Sequence, residues 1–156
     1  MGDSRYSAAL AQLWPQSHLH ILRALSETAG PDSLSLPATY PLSFGPRRPG
    51  DPPVAECAAT LAAASAADTL SRMVTRIVRL PGGDPIPLPA DAPQRVEVRF
   101  WVGASGVPLL SRVQLSYDAD SATRMAARDA VASWRFSPAE AAGCGIPNLY
   151  EERLRK

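Results

Sequence analysis

Polar and apolar residues alternate most strictly near the C-terminus. Val96, Val98, Phe100 and Val102 fall on one side of an extended run, and Arg95, Glu97, Arg99 and Trp101 fall on the other. A period of two marks a half-buried antiparallel strand and sets the valine face toward a core. Gly103 and Gly106 flank Ala104-Ser105, which predicts a short hairpin loop with a left-handed residue. The return run, Val107 to Ser116, presents Leu109, Val113 and Leu115 inward, and Pro108 marks an edge or bulge near its start. The period then changes. Residues 118–121 offer polar N-caps for a helix to about Trp134, with Ala127, Ala130, Val131 and Trp134 on one side. Arg124, Arg128, Asp129 and Ser133 are left for the outer side, while Trp134 and Phe136 are large enough to fill a sheet–helix interface. Beyond Pro138-Ala139 a flexible loop is expected over residues 141–145. Ile146 to Lys156 then returns as a last strand, although Leu149 and Leu154 are out of phase and a short helical tail competes for these residues.

Upstream the patterns are longer and weaker. Residues 4–29 read as helix, broken at Pro15, with a stripe of Leu19, Ile21, Leu22 and Leu25. Seven prolines within residues 31–53 make that stretch extended linker. Asp51-Pro52-Pro53 is a good helix start, and the helix is expected to run from Val54 to about Leu80. Leu70, Met73, Val74, Ile77 and Val78 form its apolar face. Arg72, Arg76 and Arg79 lie opposite, as a solvated face or as a docking patch for an acidic protein. Pro81-Gly82-Gly83 stops it, and four prolines up to Pro93 keep the connector extended. The predicted organisation is an N-terminal helical segment (1–30), a proline-rich linker (31–53), a long helix with connector (54–93) and a compact unit (94–156). That unit is α+β, a three-stranded antiparallel sheet with one packed helix in the order β-β-α-β.

Composition narrows the function more than the fold. At 156 residues the chain holds one ordinary domain, or a small one with an extension. A net charge of +1 supplies no field for nucleic acid, and no partner of that class is expected. No run approaches the roughly 18 apolar residues of a membrane span, so no span is expected, and no signal peptide is visible. His18 and His20 would point about 200° apart on a helix and cannot jointly chelate a metal. Phosphate loops, nucleophile elbows and HExxH motifs are missing, so an enzyme, a metal and a cofactor are all unexpected. Cys57 and Cys144 are the only cysteines. Either an oxidising compartment joins them, or they are two unrelated thiols. The strict Cα approach of about 5–6 Å that a bond demands favours the second.

One string is specific enough to name. Ala126-Ala127, Ala130-Val131, Trp134-Arg135-Phe136 and Pro138-Ala139, preceded by the two alternating runs, resemble the C-terminal domain of TonB-family energy transducers over residues 96–156. The resemblance implies a small antiparallel sheet with a helix on one face. It also implies a periplasmic or membrane-peripheral, non-catalytic adaptor that takes a protein partner's extended segment on an open sheet edge. The edge most like the family's is the last strand, which makes Asn148, Leu149, Tyr150, Glu151, Arg153 and Arg155 the candidate contacts. Two departures weaken energy coupling as the role: the final strand is charged where family members are apolar, and the membrane helix of the transducers is not in this chain. Its charges serve either as partner contacts or as protection against unwanted pairing. The other reading is a structural accessory subunit of a larger membrane or envelope complex, with the proline-rich and helical segments draped over neighbouring subunits.

Overall fold

The protein is seen in a computed structural model that describes residues 21–25, 52 and 54–156. The readings of residues 4–20 and of nearly all of the proline-rich stretch, with His18 and His20, lie outside the described residues. Residues 21–25 are helical. They are followed by α1 (Val54–Ala66), α2 (Leu70–Met73), β1 (Val78–Arg79), β2 (Val96–Val102), β3 (Gln114–Leu115) and α3 (Ser121–Ala132). Then come β4 (Phe136–Ser137), β5 (Ala139–Ala141), β6 (Cys144–Ile146) and β7 (Asn148–Leu154). The class is α+β.

Three antiparallel strands in the order β3-β2-β7 form the central sheet. β2 pairs with β7 along its whole length, from Val96 opposite Leu154 to Val102 opposite Asn148. The strand expected over 107–116 is shorter than its pattern. Only Gln114–Leu115 and a bridge from Pro108 to Val102 pair with β2, because a 3-10 turn at Leu110–Arg112 lifts the chain off the sheet between them. α3 lies on the valine face. Ala127, Ala130, Val131 and Trp134 are buried with Val96, Val98, Phe100 and Val102, so small residues bring the helix close while aromatics fill the end. Asp120 caps α3 by accepting from the Thr123 N–H at 2.7 Å. The hydrogen bonds from Thr123 hold its carboxyl below the usual carboxylate range, so the cap is present above that range and is lost only as pH falls through the lowered value.

The long helix to Leu80 is not formed. α1 stops at Ala66 in a left-handed cap: Asp68 has φ 54°, its N–H donates to Ser65 O at 3.2 Å, and Thr69 N–H donates to Ala64 O at 2.9 Å. After α2 the β-branched run Val74, Thr75, Ile77 and Val78 goes extended, as side chains stiff at χ1 prefer. It finds main-chain partners in residues 135–140. Thr75 N–H donates to Glu140 O at 2.8 Å, Leu80 N–H donates to Arg135 O at 2.9 Å, and β1 pairs with β4. Arg72, Arg76 and Arg79 therefore share no helix face.

The loop expected at 141–145 is instead the hairpin β5–β6, turned by Ala142 (φ 53°) and Gly143 (φ 77°). Two left-handed residues make the two-residue turn that suits strand twist. This hairpin carries Cys144, which is joined to Cys57 of α1 with Cα atoms 5.7 Å apart. The reading as unrelated thiols is thus corrected. The segment at 21–25, α1, the hairpin and Trp101 make a second core, in which Leu25, Leu61, Trp101 and Ile146 are fully buried. Trp101 belongs to the sheet face expected to be outward. That face is covered at the Trp101 end and open at Glu97.

The β2–β3 turn meets β4 closely. Gly106 has φ 84°, its carbonyl accepts from Phe136 N–H at 3.1 Å, and a Cβ would run into the Phe136 carbonyl oxygen. Gly106→Ala should therefore cost about 2–3 kcal/mol through left-handed strain and overpacking. Urea unfolding measures it, and a loss below about 0.5 kcal/mol would contradict this packing.

Candidate functional site

Antiparallel neighbours alternate between pairs that exchange hydrogen bonds and pairs that do not. On β2, the carbonyls of Trp101 and Glu97 accept from Leu109 and Ser116, so its odd-numbered residues turn toward β3. Its even-numbered residues therefore bond to β7, through Asn148, Tyr150, Glu152 and Leu154. It follows that the main-chain groups of Leu149, Glu151 and Arg153 point away from the sheet. Leu149 N–H is satisfied locally by Asn148 Oδ1 at 2.8 Å. Among the described residues, the N–H groups of Glu151 and Arg153 have no main-chain partner outside their own strand pair. β7 is an edge strand with its outer ladder open.

Side chains on the two faces of β7 meet different surroundings. Toward α3, Tyr150 packs edge-on to Phe136 with ring centroids 4.7 Å apart and donates its hydroxyl to Glu152 Oε1 at 2.7 Å. Burial, then that carboxylate, pushes the Tyr150 phenol well above its ordinary range. The other Glu152 oxygen accepts from Arg79 at 2.7 Å, and the Arg79 guanidinium stacks 3.7 Å from the centre of the Trp134 ring. Trp134 in turn donates Nε1–H to Asp84 O at 2.6 Å, which ties the connector to the end of α3. The arginine read as a helix-face docking residue is thus a brace under β7. It holds the strand flat against Trp134, and half-burial gives the ion pair more weight than a fully exposed one.

On the opposite face Leu149 packs on the Trp101 core, while Glu151 and Arg153 are charged and exposed. Arg99 Nε lies 2.7 Å from Glu151 Oε1, an ion pair without hydrogen-bond alignment. Arg153 stands directly across from Glu97, both exposed. Two grooves flank the strand, one of ≈ 360 Å³ between residues 71–77 and 148–151, the other of ≈ 470 Å³ between Arg79, Trp134 and residues 152–155.

The structure thus brings five of the six expected contact residues, Asn148, Leu149, Tyr150, Glu151 and Arg153, onto one edge strand, with Arg155 exposed just beyond it. Tyr150 is a core contact more than an edge contact. Glu152 and Arg79 were missed as a pair, since no sequence signal links residues 73 positions apart. Among the described residues there is no cluster of His, Cys, Asp and Glu suited to a metal, and no helix is long and apolar enough to cross a membrane. Comparison with protein-family models, curated proteins and solved structures returned no match. The arrangement defines an α+β module in which the edge strand β7 has an open outer ladder, is braced on one face and carries Glu151 and Arg153 on the other.

Proposed function

We propose that the chain is a non-catalytic protein-interaction module of TonB-like architecture, which takes an extended protein segment as an added strand on β7. The observation that carries this reading is the open outer ladder at Glu151 and Arg153. Main-chain bonds there give affinity, and the flanking grooves receive alternate side chains of the guest. The Cys57–Cys144 bond supports an oxidising compartment, consistent with a periplasmic or peripheral envelope location. Residues 54–93 fold back onto the module, which supports an adaptor over an accessory subunit draped on its neighbours.

Proline tests the edge only where the lost N–H points outward. At Tyr150 it would break the inner ladder with Phe100. At Glu151 it removes an outward donor and places a ring in the path of a guest strand. Peptides selected from a random display library should bind Glu151→Pro at least about tenfold more weakly than the parent, with the melting temperature little changed. Unchanged affinity for every selected peptide would remove β7 as the site.

A further inference from the structure

We infer that the guest of β7 is the free C-terminal tail of another protein, laid parallel to the strand with its terminal carboxylate between Arg153 and Arg155. This adds identity and direction to the edge-strand reading above and rests on it. Charge is uneven along the edge. The register that sets Val96 opposite Leu154 sets Glu97 opposite Arg153 and, one position further out, Arg95 opposite Arg155. All four of these charged residues are exposed, and among the described residues none of the three arginines makes a side-chain hydrogen bond or ion pair. Glu97 alone cannot balance them. The groove of ≈ 470 Å³ opens beside this basic end, over Pro85, Ile86, Trp134 and Leu154. Glu152 also lines it, but its carboxylate is held by Arg79 and Tyr150. An apolar floor next to unpaired guanidinium groups suits a chain end that carries an apolar side chain and a carboxylate.

Direction follows from the same asymmetry. A guest antiparallel to β7 would bring its N-terminal side, and any free amine, to the arginines. A parallel guest brings its C-terminus there. In a parallel ladder a guest residue donates its N–H to one residue and accepts from the next but one, so it stands in register with the residue between them. A guest residue in register with Leu154 therefore donates to the Arg153 carbonyl. Its own C-terminal oxygens turn toward the N–H of Arg155, one position past the strand. Its side chain shares the face of Leu154 and enters the groove over Ile86 and Trp134. The residue before it stands beside Arg153 on the open face, and the residue two places further back stands beside Glu151. The tail that fits reads basic, any residue, acidic, apolar, then the free carboxylate. Complementary charges of this kind fix register and reject wrong partners.

The probe is a dye-labelled peptide ending Thr-Val-Arg-Thr-Glu-Val, titrated against the oxidised chain by fluorescence anisotropy. The free acid should bind at least about tenfold more tightly than the same peptide with an amidated terminus, or with Gly-Gly added after the valine. Arg155→Glu should weaken the free acid by a similar factor and abolish its advantage over the amide. The melting temperature should not change, because Arg155 is exposed and lies beyond the strand. Equal affinities for acid and amide, or an advantage that survives Arg155→Glu, overturn the proposal. If both peptides then remain sensitive to Glu151→Pro, the edge-strand reading stands without it. Undiminished binding of the extended peptide assigns the arginines to an acidic side chain and also overturns it. A preference for the acid that is indifferent to Glu151→Pro places the carboxylate off the edge and overturns the pairing. A free acid that does not bind overturns the proposal outright, and the library selection alone then decides the edge.

Discussion

Removing the Cys57–Cys144 bond, by reductant or by the paired substitutions Cys57→Ala and Cys144→Ala, is expected to lower stability by about 4 kcal/mol. The bond joins residues 87 apart. Closing a loop of that length in the unfolded chain removes entropy equivalent to about 4–5 kcal/mol at room temperature. Against a total of about 5–15 kcal/mol for a domain, that is a large share. The melting temperature should fall by on the order of 10 °C. The loss should also be uneven. α1 is tied to the β5–β6 hairpin through this bond, so its amides should exchange fastest in the reduced protein, ahead of those in β2. Equal melting temperatures for the oxidised protein and a fully reduced one would show that the bond constrains little.

Trp101→Ala should cost about 3–5 kcal/mol, the usual range for emptying a large aromatic site in a core. Trp101 is on the central strand, fully buried, and clustered with Leu25, Leu61, Leu70, Cys57 and Cys144. Its neighbours along β2, Phe100 and Val102, face the other core. The residue thus couples the sheet to the helical layer, and the variant should lose amide protection in α1 and the β5–β6 hairpin together with β2. Denaturant unfolding gives the magnitude, and Val78→Ala, at an exposed position, serves as a control expected to stay within about 0.5 kcal/mol of the parent. A Trp101→Ala loss below about 1 kcal/mol would mean that the second core is not packed as described.

What was legible in the sequence was whatever local chemistry dictates. The alternation from Val96 to Val102, the capping aspartate and the small-residue face of α3 each state their element directly, and the structure has all three. What was hidden depended on distant partners or on residues in unusual roles. The hairpin turn is Ala142-Gly143, and alanine in a left-handed conformation is no turn signal. Asp68 ends α1 where glycine would have advertised the stop. The run from Val74 to Val78 fits a helical stripe as well as a strand, and its pairing with residues 135–140 decides the matter. Leu149 and Leu154 are out of phase for a strand with a single buried face, and the structure gives each its own: Leu149 packs on the Trp101 core and Leu154 on the Trp134 core. For the candidate edge, the residues of the strand were readable, but which N–H groups point outward follows only from the register with β2.

The disulfide has a mechanical consequence. It closes residues 57 to 144 into a covalent ring, and β7 lies outside it. A load delivered through a strand seated on β7 runs along the strands and strains the β2–β7 bonds together, in shear. Whatever yields first, the chain within the ring cannot be drawn out while the bond is intact. At about 3.5 Å per extended residue, the 87-residue separation keeps about 300 Å of length in reserve. The redox state of the surroundings therefore sets how far this module can be stretched.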